Sequence, residues 1–595
     1  METQTTVAVP IESDGLRMHV ATQIASDIQS SVAAALNVQQ NKVIVETKRC
    51  GGAFGGKLDN SLPGAIAVAV AAHKHKRECR MQLSIKDNMM TAGKRCPFKL
   101  EYKVSCDAEG KILAVSGTAY ADNSGAPTDF AQAYSIPNWD VKGVTCNTNT
   151  PRNTAMRAPT HLGEILFIET VVDHVATLVG KPAEAVRALN LGPGPYGKPG
   201  AEVGSPLPMI GDAGLPMQAA PAPAVPEELP KMFQAVMSQS DIAQLRKDCA
   251  AFNAANLFRK RGVASVPSEY GCGWGGNCGH GATVDVYPDG SILIYVTGVE
   301  VGQGLFTKCA QVAAMTLGLP DTSLIEVQSV DTSVNPNGGG TGGSMTSGAN
   351  AWGIQMACTE LKKRLAPIVA VLRKSGEAVT WQQQIAAAMT ASVDLGVKSW
   401  DSGLSVSGNG YAASVAVVEI DVLTGEHQIL QADLLYDCGK SLSPEIDLGQ
   451  AEGAFMIGVG HFMNEQLEYD EETGALLTFD TWEYKPPQAM DIPIKWSTSF
   501  LANGKPSRKF ALLWPRLKLI GGVCWPVNNP SGFHGSKAIG EPPILMSAAV
   551  FFALKQAIYA SRQDAKMEGW VQLNAPATPA QVQSLLPTLP QLLGQ

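Results

Sequence analysis

Cys50-Gly51-Gly52-Ala53-Phe54-Gly55-Gly56-Lys57 is the stretch on which the reading of this chain turns. It separates a strand-like run, Lys42 to Thr47, from an apolar helical run, Gly64 to His75, and a helical pattern from Gln23 to Leu36 precedes both. Glycines in such a loop permit positive φ and let backbone N–H groups approach an anion. The spelling also satisfies the phosphate-loop pattern G-x-x-x-x-G-K. Leu58, however, offers no hydroxyl to magnesium, and Pro63 shortens the helix such a loop should open. Three readings stand: a nucleotide loop, a structural glycine turn, or a loop that holds an anionic cofactor.

Outward from this loop the pattern is α+β. Strands are expected at Phe98 to Val104 and Ile112 to Tyr120, and a helix from Gly163 to Leu178. Residues Gly192 to Pro230 are dense in Pro, Gly and Ala and read as an extended connector. Beyond it come a hairpin about Asp289-Gly290, helices at Leu305 to Leu319 and Ala351 to Leu372, hairpins at Thr424-Gly425 and Thr473-Gly474, and a buried helix at Ile544 to Ala560. The expected division is 1–191, a connector 192–230, a second domain 231–575, and a Pro/Gln/Leu-rich tail 576–595.

With 595 residues, 45% hydrophobic and 17% charged, the chain has the profile of an ordinary soluble enzyme. Its 46 basic and 54 acidic residues are scattered, which speaks against a nucleic-acid surface. Twelve cysteines without a C-x-x-C pair suggest free thiols in a reducing compartment, the cytosol. The apolar stretch Gly64 to Ala72 is too short for a membrane span, and Met1-Glu2-Thr3-Gln4 does not open a secretion signal, so no membrane partner is expected.

Two further glycine segments could join the first loop around a large anionic ligand. Gly302-Gln303-Gly304 lies between a strand and a helix, and Gly338-Gly339-Gly340-Thr341-Gly342-Gly343-Ser344-Met345-Thr346 precedes the Ala351 helix. A fourth, Gly535-Ser536-Lys537-Ala538-Ile539-Gly540-Glu541-Pro542-Pro543, sets a carboxylate before two prolines and an apolar helix. Glu541 is then either an ordinary acidic residue at a helix start or a general base held rigidly by Pro542 and Pro543.

In combination these segments resemble the large-subunit half of the xanthine dehydrogenase and aldehyde oxidase family, closest to plant-type aldehyde oxidases. Asn153-Thr154-Ala155-Met156-Arg157-Ala158-Pro159 and Asp447-Leu448-Gly449-Gln450-Ala451-Glu452-Gly453-Ala454-Phe455 add to the likeness, in the family's order. The resemblance implies two tandem mixed α/β molybdopterin-binding domains, the first truncated at its N-terminus because Met1 to Val9 matches its interior. It implies a molybdenum–molybdopterin cofactor whose metal is held by the pterin dithiolene, so no protein metal ligands are expected. Glu541 would be the base, Gln23 and Arg157 would flank the metal centre, and Phe54 and Gly55 would approach it. Gln303, Ser344, Met345, Thr346 and Gln450 would hold the pterin and its phosphate. The family's 2Fe-2S and FAD groups would belong to an N-terminal portion that this sequence lacks, and its homodimer is the implied assembly.

Departures from the pattern bear on substrate. Leu58 stands where purine-oxidising members carry glutamate, and no arginine occurs around Gly125 to match their second substrate-binding residue. Both point to an aldehyde, with water as the oxygen source, and away from a purine or other heterocycle recognised by paired hydrogen bonds. Cys272-Gly273-Trp274 falls where an aromatic contact is expected, and Lys505 to Asn529 reads as an insertion. The alternatives are a xanthine dehydrogenase-type purine hydroxylase and a non-catalytic remnant of the family.

Overall fold

A computed structural model describes residues 1–122, 130–192, 228–274, 279–375, 378–400, 406–502, 505–506, 533 and 536–593. The interior of the Gly192–Pro230 connector, the surroundings of Gly125, the side chains of Cys272 to Trp274 and nearly all of the Lys505–Asn529 insertion lie outside the described residues.

The chain opens with β1 (Thr5–Ile11), β2 (Gly15–Val20), α1 (Ala25–Leu36), β3 (Val43–Glu46), α2 (Leu62–His75) and β4 (Cys79–Gln82). The four strands form one mixed sheet in the order β3-β2-β1-β4, with β2 and β3 parallel and the other pairs antiparallel. Alternation explains the packing: Ala8, Leu16, Met18, Val43 and Val45 are buried and face Ile28, Val32, Ala65, Val68 and Ala69 of the two helices. Next come α3 (Ile85–Thr91) and a three-stranded sheet of β5 (Phe98–Cys106), β6 (Ile112–Asp122) and β7 (Asn138–Cys146). The segment closes with α4 (His161–Val179) and α5 (Ala183–Asn190).

After α6 (Glu228–Gln239), which begins inside the stretch read as connector, and α7 (Ile242–Ala255), the long β8 (Arg259–Trp274) leads into a second compact unit. This comprises β9 (Gly281–Val286), β10 (Ile292–Val296), α8 (Leu305–Leu317), β11 (Ile325–Gln328), α9 (Thr346–Leu372), α10 (Trp381–Thr390) and β12 (Gly396–Trp400). Its sheet order, β11-β10-β9-β12, and its strand directions repeat those of the first unit. A hairpin, a helix, a parallel strand, a helix and an antiparallel edge strand thus occur twice. The two units meet at the ends of their parallel strands, where Glu46 bridges Asp331 and Val45 N–H donates to Thr332 Oγ1 at 2.9 Å.

The remainder is β13 (Val406–Asp421), β14 (His427–Tyr436), α11 (Pro444–Val459), β15 (Lys495–Ala502), β16 (Lys505–Pro506), α12 (Ala548–Asp564), α13 (Pro579–Leu585) and α14 (Leu589–Leu592). Strands β16-β15-β14-β13-β8 form the largest sheet. Its face is covered by α12 and α4, so one core runs from Ile112 and Ile165 in the first segment to Phe551 and Phe552 in the last. A buried pair crosses this seam, Lys555 Nζ to Asp173 Oδ2 at 3.0 Å, while Arg187, paired with Glu169 Oε2 at 2.5 Å within the first segment, stands 5.4 Å from the centroid of the Phe552 ring. The run Pro542–Asp564 is long and apolar enough to cross a membrane, a length that Gly64–Ala72 does not reach, but 83% of its apolar window is buried here as a core helix. Residues 576–593 are docked: Val582, Leu586 and Leu592 enter the same core, and Gln583 Nε2 donates to Leu423 O at 2.9 Å.

Candidate active site

The repeated unit accounts for where the glycine segments go. In each unit one loop follows the hairpin's second strand, carrying Gln23 in the first and Gly302-Gln303-Gly304 in the second. Another follows the parallel strand, carrying Cys50–Lys57 in the first and Gly338–Thr346 in the second. Because the parallel strands meet end to end, these four loops converge on one side of the junction.

The Cys50–Lys57 loop is held against the Asn153–Pro159 segment. Gly55 has φ +95°, and a Cβ there would stand 1.8 Å from the Ala155 carbonyl oxygen, so only glycine fits. Thr154 Oγ1 donates to Gly55 O at 2.9 Å, and Arg157 N–H donates to Phe54 O at 2.7 Å. Phe54 itself has φ +53° and leaves its ring 41% exposed. Lys57, which would reach a phosphate in a nucleotide loop, is instead fully buried against Glu2, with Nζ 2.6 Å from Oε2. That pairing, and the 3-10 turn Asp59–Ser61 between loop and helix, removes the nucleotide-loop reading.

Gln23 ties the two units together. Its Oε1 accepts from Gly55 N–H at 3.1 Å and Lys57 N–H at 3.2 Å, while Nε2 donates to Thr341 O at 2.6 Å. From Thr341 the chain passes to Ser344, whose hydroxyl donates to Glu541 Oε2 at 2.8 Å. The other oxygen of Glu541 accepts the Ala158 N–H at 3.0 Å. Arg157 donates through Nε to Gly540 O and through Nη2 to Gln450 O and Oε1 at 3.1 and 3.3 Å. Gln23, Phe54, Gly55, Arg157, Glu541, Gln450 and Ser344 therefore belong to one closed hydrogen-bonded circuit drawn from six separate segments.

The Glu541 loop is pinned from below. Lys537 N–H donates to Cys438 O at 2.8 Å, the Lys537 ammonium pairs with Asp437, and the Tyr436 hydroxyl donates to Ala538 O. Pro542 and Pro543 then start a 3-10 turn that runs into α12, both rings buried. The Arg157 guanidinium is buried, and its pKa is lowered to about 10 by desolvation, opposed by the charge of Glu541.

Three expected ligands sit differently. Gln303 is turned into its own loop, accepting from Val301 N–H at 2.7 Å and donating to Val299 O at 2.8 Å. The N–H groups of Gly302, Gly304 and Phe306 point to the Glu300 carboxylate at 2.9, 3.2 and 3.1 Å, so this turn is already capped by an acid. Met345 and Thr346 begin α9, and the Thr346 hydroxyl accepts from Gly342 N–H at 3.2 Å. None of the three makes a hydrogen bond into the Glu541 circuit among the described residues.

Arg95, which the sequence patterns did not single out, supports the circuit. Its Nη1 donates to Met156 O at 3.2 Å and Ala158 O at 3.0 Å, the two carbonyls that flank Arg157. A single arginine in Lys94-Arg95-Cys96-Pro97 carries no local signal of this role.

The donor set suits a large polyanionic heterocycle. Two side-chain amides, a guanidinium and a hydroxyl converge, and Gly342 and Gly449 have nothing within 4 Å of where a Cβ would stand. A cradle left open at glycines is what a pterin with a phosphate would fill. Among the described residues no group of three His, Cys, Asp or Glu side chains could hold a bare metal ion.

This architecture is that of a molybdopterin enzyme's cofactor-binding half, and comparison with known families agrees. Residues 1–191 and 235–493 each match a molybdopterin cofactor-binding domain, and the chain belongs to the molybdenum hydroxylase family that includes xanthine dehydrogenases and aldehyde oxidases. It is 35% identical to xanthine dehydrogenase of Drosophila subobscura over 616 residues, spanning 98% of this chain and 42% of that one. It is 33% identical to indole-3-acetaldehyde oxidase of Arabidopsis thaliana over 587 residues, 95% of this chain and 40% of that one. The chain thus spans about two fifths of the length of these relatives. Among solved structures, quinoline 2-oxidoreductase from Pseudomonas putida 86 superposes with TM-score 0.79 at 20% identity, over 99% of this chain and 75% of that one. Aldehyde oxidoreductase from Desulfovibrio gigas superposes with TM-score 0.71 at 20% identity, over 98% and 59%.

Proposed function

We propose that the chain provides the catalytic half of a cytosolic hydroxylase that oxidises an aldehyde to a carboxylic acid. The observation that carries this reading is the Glu541 carboxylate, held by one donor on each oxygen and set beside a buried guanidinium. Aldehyde and water give acid, two protons and two electrons. The cofactor, when bound, supplies the two-electron acceptor. Gln23, Gln450 and the glycine turns would orient it, and the buried circuit keeps the protein groups from reorganising during reaction.

Glu541 accepts the proton from the oxygen nucleophile. Its donors, Ala158 N–H and Ser344 Oγ, fix the direction of the free lone pairs, and Pro542 limits movement of the backbone behind it. Arg157 stands by as counter-charge, its guanidinium buried beside the carboxylate.

Support for an aldehyde comes from Leu58, which packs against the apolar core of the first unit at the position where purine oxidisers carry an acid. The likeness to xanthine dehydrogenases favours a purine as the second reading. Chain purified from a host that makes the cofactor should reduce a dye with an aromatic aldehyde and not with hypoxanthine. Glu541→Gln should retain cofactor and lose turnover by roughly a thousandfold. Turnover of hypoxanthine alone would move the assignment to the purine reading, and normal turnover by Glu541→Gln would refute the base. Absence of turnover in cofactor-loaded chain would favour the remnant.

A further inference from the structure

Glu541 takes one of its two hydrogen bonds from the N–H of Ala158, a non-glycine residue at φ +56°. L-residues rarely rest there, and surrounding structure must hold them. The hold is visible. Arg95 Nη1 donates to Met156 O at 3.2 Å and to Ala158 O at 3.0 Å, spanning the peptide units on both sides of Arg157. From behind, Thr154 N–H donates to Lys94 O at 2.9 Å, so residues 94 and 95 grip the segment along its length.

The guanidinium is itself confined. Burial depresses its pKa, while Glu465, Tyr484, Glu541 and Tyr270 oppose that depression. The Tyr484 hydroxyl donates to Glu465 Oε2 at 2.7 Å, and Glu465 follows the π-helical turn Gly460–Asn464, whose His461 feels the Arg95 charge. Arg157 is the other cation nearby. Thus groups on the turn after α11, on the Tyr484 loop and on β8 all face Arg95, and it faces the base.

We propose that Arg95 is a positioning residue: by fastening the carbonyls of Met156 and Ala158 it keeps the Ala158 N–H aimed at Glu541 and the Arg157 guanidinium beside it. The role rests on the reading of Glu541 as the base, and it acts through that loop without touching substrate or cofactor. Glu465, fixed by the Tyr484 hydroxyl, acts on Arg95 by its charge.

The test uses cofactor-loaded chain carrying Arg95→Gln, Arg95→Lys or Tyr484→Phe, and reads amide hydrogen exchange across residues 154–158 together with kinetics. Expected for Arg95→Gln are at least tenfold faster exchange at 154–158, unchanged exchange in α4, and unchanged molybdenum content. Its kcat should fall at least tenfold with KM within twofold. Arg95→Lys should recover part of kcat, and Tyr484→Phe should show the Arg95→Gln pattern more weakly. Wild-type exchange at 154–158 in Arg95→Gln overturns the proposal, as does faster exchange with kcat unchanged. Should Arg95→Gln not fold, wild-type exchange in both Arg95→Lys and Tyr484→Phe overturns it. Were Glu541→Gln fully active, the base assignment would fall, while the exchange data would still decide whether Arg95 holds the loop.

Discussion

Ser344 and Glu541, 197 positions apart, are joined by a hydrogen bond of 2.8 Å from Oγ to Oε2. Ser344 also holds φ +59°, so the turn that carries it is shaped to deliver the hydroxyl. Ser344→Ala removes one of two donors to a charged acceptor, a change of about 1–2 kcal/mol. The expected outcome is a roughly tenfold fall in kcat at constant cofactor content, measured by dye reduction.

Gly55→Ala is a harsher test of the loop. The added carbon meets the Ala155 carbonyl and must sit at φ +95°. We expect loss of more than about 2 kcal/mol of stability and a large fall in bound molybdenum. Thermal unfolding and metal analysis of the purified variant read both.

His280 makes folding stability fall in mild acid. It is buried with Nδ1 3.2 Å from Thr297 Oγ1 and 3.3 Å from Asn350 Nδ2, and desolvation lowers its pKa to about 4 from an ordinary 6.5. Between those values the unfolded chain binds a proton that the folded chain refuses, so stability decreases as pH falls through that window. His280→Gln should flatten the slope, measured as urea midpoints at pH 7 and pH 5. His461, lowered in the same sense to about 3, should leave a residual slope.

Lys555→Met tests the seam between the first and last segments. Lys555 is buried with Asp173 at 3.0 Å and stands 3.3 Å from the centroid of the Trp570 ring. Leaving Asp173 unpaired should destabilise the fold by about 3 kcal/mol, whereas the double change Asp173→Leu with Lys555→Met should recover much of it. Denaturant titration followed by tryptophan fluorescence reports both.

Much of the secondary structure was legible from periodicity: the helices at Leu305–Leu317 and Ala548–Asp564 and the hairpin about Asp289-Gly290 lie where apolar spacing and turn residues place them. The opening hairpin Thr5–Val20 was not, because its turn, Glu12-Ser13-Asp14, uses Ser13 and Asp14 at positive φ without a glycine between them. Nor was the duplication of the β-β-α-β-α-β unit, since it lies in strand order and direction, which two unlike sequences can share. Motif spelling drew attention to Gln23, Arg157, Gln450 and Glu541, which the fold brings into one circuit. It could not show that Gln303 serves its own turn or that Glu300 caps the donors of Gly302 and Gly304. Such pairings depend on side-chain direction, and Arg95 is the same case.

The circuit that closes on Glu541 also sets a schedule. Gln23, Phe54 and Arg157 are made before Thr341 and Ser344, and Glu541 is made last of the circuit. Until then Ala158 has no carboxylate to receive its N–H and Arg157 has no Gly540 carbonyl to hold. Polypeptide that stops short of residue 541 therefore carries nearly every ligand of the site and no way to lock them together, so the circuit can close around a cofactor only once residue 541 is in place.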